Sequence, residues 1–414
     1  MGLFIGNGAD APLLSSISPK IPKDTFHLAY IVHFIFGVGF LLPGNTFITA
    51  VDYFSYIYPG VNINRIFTAV KMVVCFITVV IVLGWARKSS SYLRINIGLA
   101  LFVASLLTVP IIDLAYVKGR VGLYNGFYVT VAAVVVCGVA NGLFESGVVG
   151  AAGELPERYM QASGAGLAAS GVIVSVLRII TKAIYPHDAS GLRSSANLYF
   201  GVSIVIMVIC LICYNISNKL PVIQYYKDLK TKAQEEEEEN DKPYLSKSPW
   251  KSSLWDVTRR VKWLAFARFL IFVVTFSIFP GHITEDVHSR ILNDWYPILL
   301  IACESLFNLV GMSLPAFYLI KNENVVVTAS LARLLFYPLF LGCWYGPAFL
   351  QTEIPTATLT CLLGITNGYL ANVLLILPPK TVPIQHAEAA GIVMVVFSNL
   401  GLSVGSIASW LWII

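Results

Sequence analysis

Long apolar runs alternate with short polar segments along the whole chain. A transmembrane helix needs roughly 20 apolar residues to cross a hydrocarbon core about 30 Å thick. Eleven runs meet this requirement, and they are centred near residues 40, 75, 102, 138, 170, 207, 273, 307, 335, 366 and 400. The pattern therefore predicts an all-α integral membrane protein with eleven transmembrane helices.

One long polar segment, residues 219–262, divides these runs into six and five. It contains the acidic stretch QEEEEENDKPYLSKSP, which has too few apolar residues to form a core. We interpret the segment as a flexible cytoplasmic loop, with a phosphorylation-regulated tether as the functional alternative. The predicted domains are a cytoplasmic N-terminal segment at 1–25, a six-helix bundle at 26–218, the loop at 219–262, and a five-helix bundle at 263–414.

Composition and charge agree with a bilayer protein. Of the 414 residues, 57% are hydrophobic and 12% are charged, whereas about a quarter of the residues in a soluble domain are charged. Arg87, Lys88 and Arg94 follow the second run, and a further group of Lys and Arg residues follows the sixth. The positive-inside rule then places the N-terminus in the cytoplasm and the C-terminus on the opposite side. We expect a protein of the plasma membrane rather than of the vacuolar membrane.

Patterns for catalysis and for metal binding are missing from the sequence. There is no GxxxxGK[ST] loop for ATP, no GxSxG elbow and no HExxH pair. All seven Cys residues lie within or at the edges of apolar runs, which indicates neither a disulfide framework nor a zinc site. The net charge of +5 is spread over short clusters and does not indicate nucleic acid binding. We therefore expect no enzyme activity, no cofactor, no metal and no obligate protein partner.

Polar side chains recur inside the predicted spans, where an ionisable group costs a few kcal/mol at least and marks a candidate solute path. Asn141 and Glu145 are four residues apart on the fourth helix, so they share one face. Glu304, Ser305, Asn308 and Met312 form a second stripe on the eighth helix, and Arg333, Asn367 and Asn372 are further candidates. For Lys71, Asp113, Arg178 and Lys182 we favour structural pairing between helices or snorkelling to the interface.

The stretch GVGFLLPGNTFITAVDYF, residues 37–54, interrupts the first run with Gly39, Pro43 and Gly44, followed by the amide of Asn45. An interruption there frees backbone groups beside Asn45, where a polar solute can use them. Interrupted helices, helices rich in small residues and polar groups near the midplane are together typical of secondary transporters. A proline kink that serves packing alone is the alternative.

Several longer motifs carry a family resemblance over essentially the whole chain. They are FLLPGNTFITAVDYF, TFSIFPGHI, ARLLFYPLF and TNGYLANVLLILPPKTVPIQHAEAAGIVMVVFSNLGLSVGS. With them the chain resembles an equilibrative nucleoside transporter, and GELPERYMQA, SANLYF, FPGHITEDVHS and DWYPILLIA bring it closest to the plant branch. The resemblance implies eleven helices in a major-facilitator-like arrangement of six plus five, with purine and pyrimidine nucleosides as transported solutes.

The resemblance also implies substrate-binding positions, and this chain departs from the family at several of them. The family motif LPWN corresponds to Leu42, Pro43, Gly44 and Asn45, so a glycine replaces the aromatic residue. A family glutamine corresponds to Glu145, and a plant aspartate corresponds to Asn141. A family aspartate and a basic residue correspond to Asn308 and Met312, while Ile48, Ser305 and Leu402 complete the implied set.

These observations lead to a nucleoside transporter that works by alternating access and is facilitative or proton-coupled. Glu145 is the candidate proton-binding group, with Glu304 as the second, unless Glu145 pairs with Arg333 or another buried cation and is only structural. A tryptophan at position 44 is expected to restore an aromatic surface and to lower the apparent KM. The alternatives are a transport-defective relative that binds or senses nucleosides, and a carrier of another polar solute such as a nucleobase or a sugar.

Overall fold

The computed structural model describes residues 22–61, 63–85, 90–186, 188–240, 249–279, 295–347 and 350–409. All regular elements in these ranges are helices, and eleven helical segments among them are long and apolar enough to cross a membrane. The predicted all-α fold with eleven spans is therefore confirmed. Arg87, Lys88 and most of the predicted N-terminal segment lie outside the described residues.

The first six spans form the N-terminal bundle. The first span consists of two helices, Leu28–Thr49 and Val51–Ile57. The second to sixth spans are Ile63–Trp85, Ser91–Ile112 with a π-helical turn at Asp113–Val117, Tyr124–Glu154, Glu157–Ile184 and Ala189–Ser217. The first span packs on the fifth and sixth, and the fourth packs on the second and third.

The last five spans form the C-terminal bundle. They are Pro249–Ile278, Tyr296–Ser313, a ninth span made of Glu323–Ala332 and Phe336–Tyr345, then Glu353–Lys380 and Ile384–Ala408. A 3₁₀ turn, Arg333–Leu335, joins the two halves of the ninth span. The eighth span packs on the tenth and the seventh packs on the eleventh.

Small residues allow the closest helix contacts. A Cβ atom on Gly37 of the first span would lie 2.8 Å from Gly166 Cα of the fifth. In the C-terminal bundle, Gly364 and Gly368 of the tenth span lie against the backbone of Glu304 and Asn308. Any larger side chain at these glycines would push the helices apart, which is why small residues favour close packing in membranes.

Pro43 does not interrupt the first span. The helix that begins at Leu28 continues through Pro43 to Thr49, and the backbone leaves helical geometry only at Ala50, with φ −79° and ψ 10°. The predicted position of the break is therefore wrong. Pro43 still has no N–H, so the carbonyl that loses its helical partner is that of Gly39, one turn before the proline rather than beside Asn45.

The predicted flexible loop also contains helical structure. A connecting helix runs from Pro221 to Asn240, and the seventh span begins at Pro249 rather than at residue 263. Residues 241–248 lie outside the described part of the chain. The connecting helix docks through Val222 and Ile223, which join an apolar cluster with Tyr159. The segment is too polar for a core of its own, yet these two apolar residues pack the connecting helix against the bundle.

The two bundles are closed against each other on one side of the membrane, here called the N side because the first span begins there at Thr25. Gly153, at the end of the fourth span, lies against Pro379 and Ala387 of the C-terminal bundle. Lys380 Nζ donates a hydrogen bond to the carbonyl of Gly153 at 3.2 Å. These contacts join the ends of the fourth, tenth and eleventh spans.

The packing loosens toward the opposite side. In the fifth span, residues 159–170 are buried with one half-buried exception, whereas half-buried and exposed positions predominate over residues 171–184. The tenth span is likewise most buried toward its N-side end, where residues 370–379 are all buried. These two spans are therefore more closely packed at their N-side ends than at their opposite ends.

Candidate functional site

Four side chains form a hydrogen-bonded row that connects the two bundles. Asn141 Nδ2 donates to Cys75 Sγ at 3.1 Å, Cys75 Sγ donates to Asn399 Oδ1 at 3.4 Å, and Asn399 Nδ2 donates to Glu145 Oε2 at 2.9 Å. Each of the four residues is at most 6% exposed. The face predicted for Asn141 and Glu145 thus meets the second and eleventh spans. Asn141 Oδ1 is buried and has no hydrogen-bond partner in the described part of the chain.

Glu145 has charged neighbours but no close ion pair. Its carboxylate interacts electrostatically with Arg268 of the seventh span and with Lys71 of the second, yet no described cation lies within 4.0 Å of it. Arg268 is fixed by other groups, since it donates to Ser398 Oγ and, at 2.6 Å, to the carbonyl of Ala371. The two bundles therefore place an acidic group and a guanidinium near each other without locking them together.

Arg333 belongs to a second polar network, inside the C-terminal bundle. It donates to Asn367 Oδ1 at 3.0 Å and to Thr275 Oγ1 at 2.9 Å, and Asn367 Nδ2 donates to Asn308 Oδ1 at 3.3 Å. The charge that interacts with Arg333 is that of Glu304. The alternative in which Arg333 pairs with Glu145 is therefore wrong, and the carboxylate that has Arg333 as its cationic neighbour is Glu304.

The remaining positions implied by the resemblance lie in different surroundings, some at the bundle interface and one in the core. Ser305 Oγ accepts a hydrogen bond from Ser175 Oγ at 3.3 Å, which joins the eighth span to the fifth across the bundle interface. Leu402 is half-buried on the eleventh span, three residues after Asn399. Met312, in contrast, is 2% exposed within an apolar cluster formed by the fifth span and the seventh to eleventh spans. Its apolar side chain is therefore packed in the core.

Gly44 lies directly against Lys71. The nearest atoms to a Cβ built on Gly44 all belong to Lys71, and the Cε of that side chain would be only 2.6 Å away. The space beside Gly44 is thus occupied by the flexible end of a lysine of the second span, which a tryptophan at position 44 would have to displace. The expectation that such a substitution restores an aromatic surface and lowers the KM stays a prediction.

The open face of the first span lies next to this contact. Asn45 and Ile48 are half-buried, whereas most residues around them are buried. The side chain of Asn45 makes no hydrogen bond within the described ranges. Further along the same face, Asp52 forms an ion pair with Arg178 at 3.3 Å. A polar, partly exposed face in a membrane span fits a solute path better than a lipid contact.

A cluster of four ionised side chains holds the N side closed, and we call it the N-side ion cluster. Lys230 of the connecting helix lies 2.6 Å from Glu154 Oε1 of the fourth span and 2.6 Å from Glu388 Oε2 of the eleventh. Glu388 also pairs with Arg94 of the third span. Burial opposes the charge of Lys230, but attraction by Glu154 and Glu388 outweighs burial and raises the pKa of Lys230. The cluster thus ties both bundles and the connecting helix together.

Sequence patterns missed some of these residues and placed others well. Asp113 and Arg178 are paired as expected, with Arg193 at 2.6 Å and Asp52 at 3.3 Å. Lys71 was expected to pair between helices or to snorkel to the interface, and it forms neither an ion pair nor a hydrogen bond with any described residue. Arg268, Asn399 and the N-side ion cluster were not predicted, although an Arg inside the seventh apolar run and a Glu at the start of the eleventh are visible signals.

Comparison with known proteins agrees with this site. The sequence profile of the family described as "Nucleoside transporter" matches residues 131–414. The chain is 56% identical over 396 residues to Equilibrative nucleotide transporter 1 of Arabidopsis thaliana, which covers 95% of this chain and 88% of that protein. It is 42% identical over 394 residues to Equilibrative nucleotide transporter 8 of the same plant, covering 95% of this chain and 97% of the relative.

Solved structures with the same fold are major facilitator proteins. The proton:xylose symporter XylE bound to 6-bromo-6-deoxy-D-glucose superimposes with a TM-score of 0.64 at 12% identity, covering 93% of this chain and 87% of the symporter. A bacterial homologue of the iron transporter ferroportin, in an outward-facing state, gives a TM-score of 0.59 at 14% identity and covers 94% and 92% of the two chains. These likenesses show the fold. Profile, relatives and fold together establish that the chain belongs to the nucleoside transporter family.

Proposed function

We propose that this protein carries purine and pyrimidine nucleosides across a membrane by alternating access. The observation that supports the proposal most strongly is the asymmetry of the bundle interface, which is sealed on the N side and looser on the other. Two bundles that meet around central polar groups can expose those groups to one side at a time. The Arabidopsis relatives are named as equilibrative nucleotide transporters, which agrees with a solute of this class.

The central polar groups suit the chemistry of a nucleoside. Ribose hydroxyls both donate and accept hydrogen bonds, and Asn141, Asn45 and the Glu145 carboxylate offer the matching donors and acceptors. A nucleobase presents flat apolar faces that fit among aliphatic side chains such as Ile48 and Leu402. A mostly apolar pathway with a few polar groups is the usual form of a small-molecule site.

We place the N side in the cytoplasm, since the Lys and Arg bias of the loops favours that orientation. The structure then corresponds to an outward-facing carrier that is closed toward the cytoplasm. Glu145 is the proposed proton-binding group, because it lies between the bundles, accepts a hydrogen bond from Asn399 and has no close ion pair. Protonation there would change its interaction with Arg268 across the interface, which links proton binding to the relative position of the bundles. Glu304 is the less favoured second group, since its charged neighbour Arg333 belongs to the same bundle. The plasma membrane is the proposed location.

Uptake into cells that express the chain tests this function. Radiolabelled adenosine and uridine should accumulate faster than in cells with the empty vector. Excess unlabelled nucleosides should compete, whereas free adenine, uracil and ribose should not. Competition by a nucleobase or a sugar alone would assign a different solute. Saturable binding to membranes without uptake would instead favour a transport-defective nucleoside-binding protein. A fluorescent fusion imaged with plasma-membrane and vacuolar markers tests the location.

A further inference from the structure

Lys71 of the second span is a further specificity-determining residue. We propose that its ammonium group donates a hydrogen bond to an oxo group on the nucleobase of the transported nucleoside. This inference rests on the proposed nucleoside transport and specifies which bases the carrier prefers.

Lys71 lies on the inner face of the second span. Phe67, Lys71, Cys75 and Val79 follow one another at intervals of four residues and are all buried, so they form a single stripe. Lys71 is 6% exposed. The residue after it on the stripe, Cys75, accepts the hydrogen bond from Asn141. Lys71 is therefore one helical turn from a residue of the polar row that connects the bundles.

The ammonium of Lys71 has no direct partner in the described part of the chain. It makes neither a hydrogen bond nor an ion pair there, although it feels the charge of Glu145 at longer range. Other cations inside the spans are held in place, as Arg268 is by Ala371 and Ser398 and Arg333 is by Asn367 and Thr275. An unpaired ammonium inside a membrane protein is costly, so its retention indicates that a ligand or solute supplies its hydrogen-bond partner.

The direction of the side chain is set by Gly44. Lys71 lies flat against this glycine, where a Cβ atom would overlap its terminal atoms. The residue after Gly44 is Asn45, whose amide is half-buried and has no hydrogen bond with any described residue. Lys71 thus contacts the residue that precedes Asn45, and neither the Lys71 ammonium nor the Asn45 amide has a hydrogen-bond partner among the described residues.

The chemistry of an ammonium group selects its partner. Lys offers three donors and no acceptor, so it fits a group that only accepts hydrogen bonds. The oxo groups of uracil and hypoxanthine are acceptors of this kind, whereas the amino groups of cytosine and adenine at the same ring positions are donors. Ribose hydroxyls donate as well as accept hydrogen bonds, so the amide of Asn141 and the carboxylate of Glu145 suit them equally well. Lys71 therefore distinguishes bases rather than sugars.

Two matched nucleoside pairs test the proposal. Inosine and adenosine differ at the 6-position, where one has an oxo and the other an amino group, and uridine and cytidine differ in the same way at the 4-position. Purified protein in proteoliposomes gives kcat/KM for each. We expect the wild type to prefer the oxo member of each pair. Lys71→Met should reduce this preference by about tenfold, mostly by slowing uptake of the oxo nucleosides. A tenfold change is the size expected for the loss of one charge-assisted hydrogen bond that competes with water.

The control variant is Lys232→Met, which removes an exposed lysine of the connecting helix and should leave both preferences as in the wild type. Gly44→Ala is the second test variant, since its methyl group displaces the Lys71 ammonium while the charge is retained. It should lower the preference in the same direction. If Lys71→Met does not reach the membrane, Gly44→Ala decides alone.

Unchanged preference in whichever test variants fold would overturn the role of Lys71, and so would an equal loss of uptake for both members of each pair. These outcomes would not contradict nucleoside transport itself. Wild-type protein that takes up none of the four nucleosides would refute the proposed function instead, and the inference with it.

Discussion

Breaking the N-side ion cluster should shift the carrier toward the state that is open on the N side. Glu388 is the best residue to change, because it accepts from Lys230 at 2.6 Å, from Ser91 at 2.8 Å and from Arg94. The substitution Glu388→Gln keeps the shape of the side chain and removes its charge. Lys230 then keeps its ion pair with Glu154, which belongs to the same bundle as Arg94.

The size of the shift follows from the burial of these groups. The side chains of Arg94, Lys230 and Glu388 are 5%, 17% and 12% exposed, so their attraction is only partly screened. A hydrogen bond to a charged group is worth about 1.5–3 kcal/mol, and the cations recover water when the N side opens. A net loss of about 2 kcal/mol from the closed state is therefore expected. This corresponds to about a 30-fold change in the ratio of the two states.

Hydrogen exchange measured by mass spectrometry on protein in nanodiscs reports this shift. Peptides that cover residues 149–155 and 385–392 should exchange faster in Glu388→Gln than in the wild type, because these segments seal the N side. Peptides that cover residues 171–184 should exchange more slowly, because the opposite side closes when the N side opens. The reciprocal change distinguishes a change of state from a general loss of stability.

A matched control is available inside one bundle. Arg193→Gln breaks the half-buried ion pair with Asp113, in which the two side chains are 2.6 Å apart, and both residues belong to the N-terminal bundle. It should raise exchange locally without the reciprocal pattern. The reasoning is refuted if Glu388→Gln exchanges like the wild type, or if exchange rises equally at both ends of the spans.

Three further predictions concern protons, the cluster at alkaline pH, and topology. Uptake should increase from pH 8 to pH 5 outside the cell, and Glu145→Gln should flatten this dependence while keeping some transport; an unchanged profile in the variant would remove Glu145 from coupling. Because the pKa of Lys230 is raised, its stabilising charge is complete below the ordinary lysine pKa and is lost only above it, so exchange at 149–155, corrected for intrinsic rates, should not become faster between pH 7 and pH 9. A tag inserted after Glu239 should be labelled only from the cytoplasm and a C-terminal tag only from the other side, whereas labelling of both from one side would contradict the eleven-span topology.

The number of spans could be predicted from the sequence because apolar length alone determines whether a helix can cross a bilayer. The connecting helix could not, since its docking depends on Val222, Ile223 and the ion pairs of Lys230, none of which forms an apolar run. The same limit applies to Pro43. A proline predicts a missing hydrogen bond, but the neighbouring spans decide whether the helix bends there.

The site was predictable in its parts and not in its connections. The four-residue spacing of Asn141 and Glu145 placed them on one face, and the structure brings that face to the second and eleventh spans. The partner of Glu145 depends on how two bundles meet, which no spacing within one helix reveals. The glycine at position 44 looked like a missing side chain. Only the packing of the second span shows that Lys71 occupies the space.

A counterflow experiment tests the central claim of alternating access most directly. Proteoliposomes with purified protein are loaded with millimolar unlabelled uridine and diluted into a trace of labelled uridine. Labelled uridine should rise transiently above its equilibrium level, because a carrier with one site exchanges solute faster than it returns empty. Empty liposomes and liposomes loaded with ribose should show no such overshoot. Labelled uridine that rises only to equilibrium, or that binds without entering, would contradict a carrier that alternates between two sides.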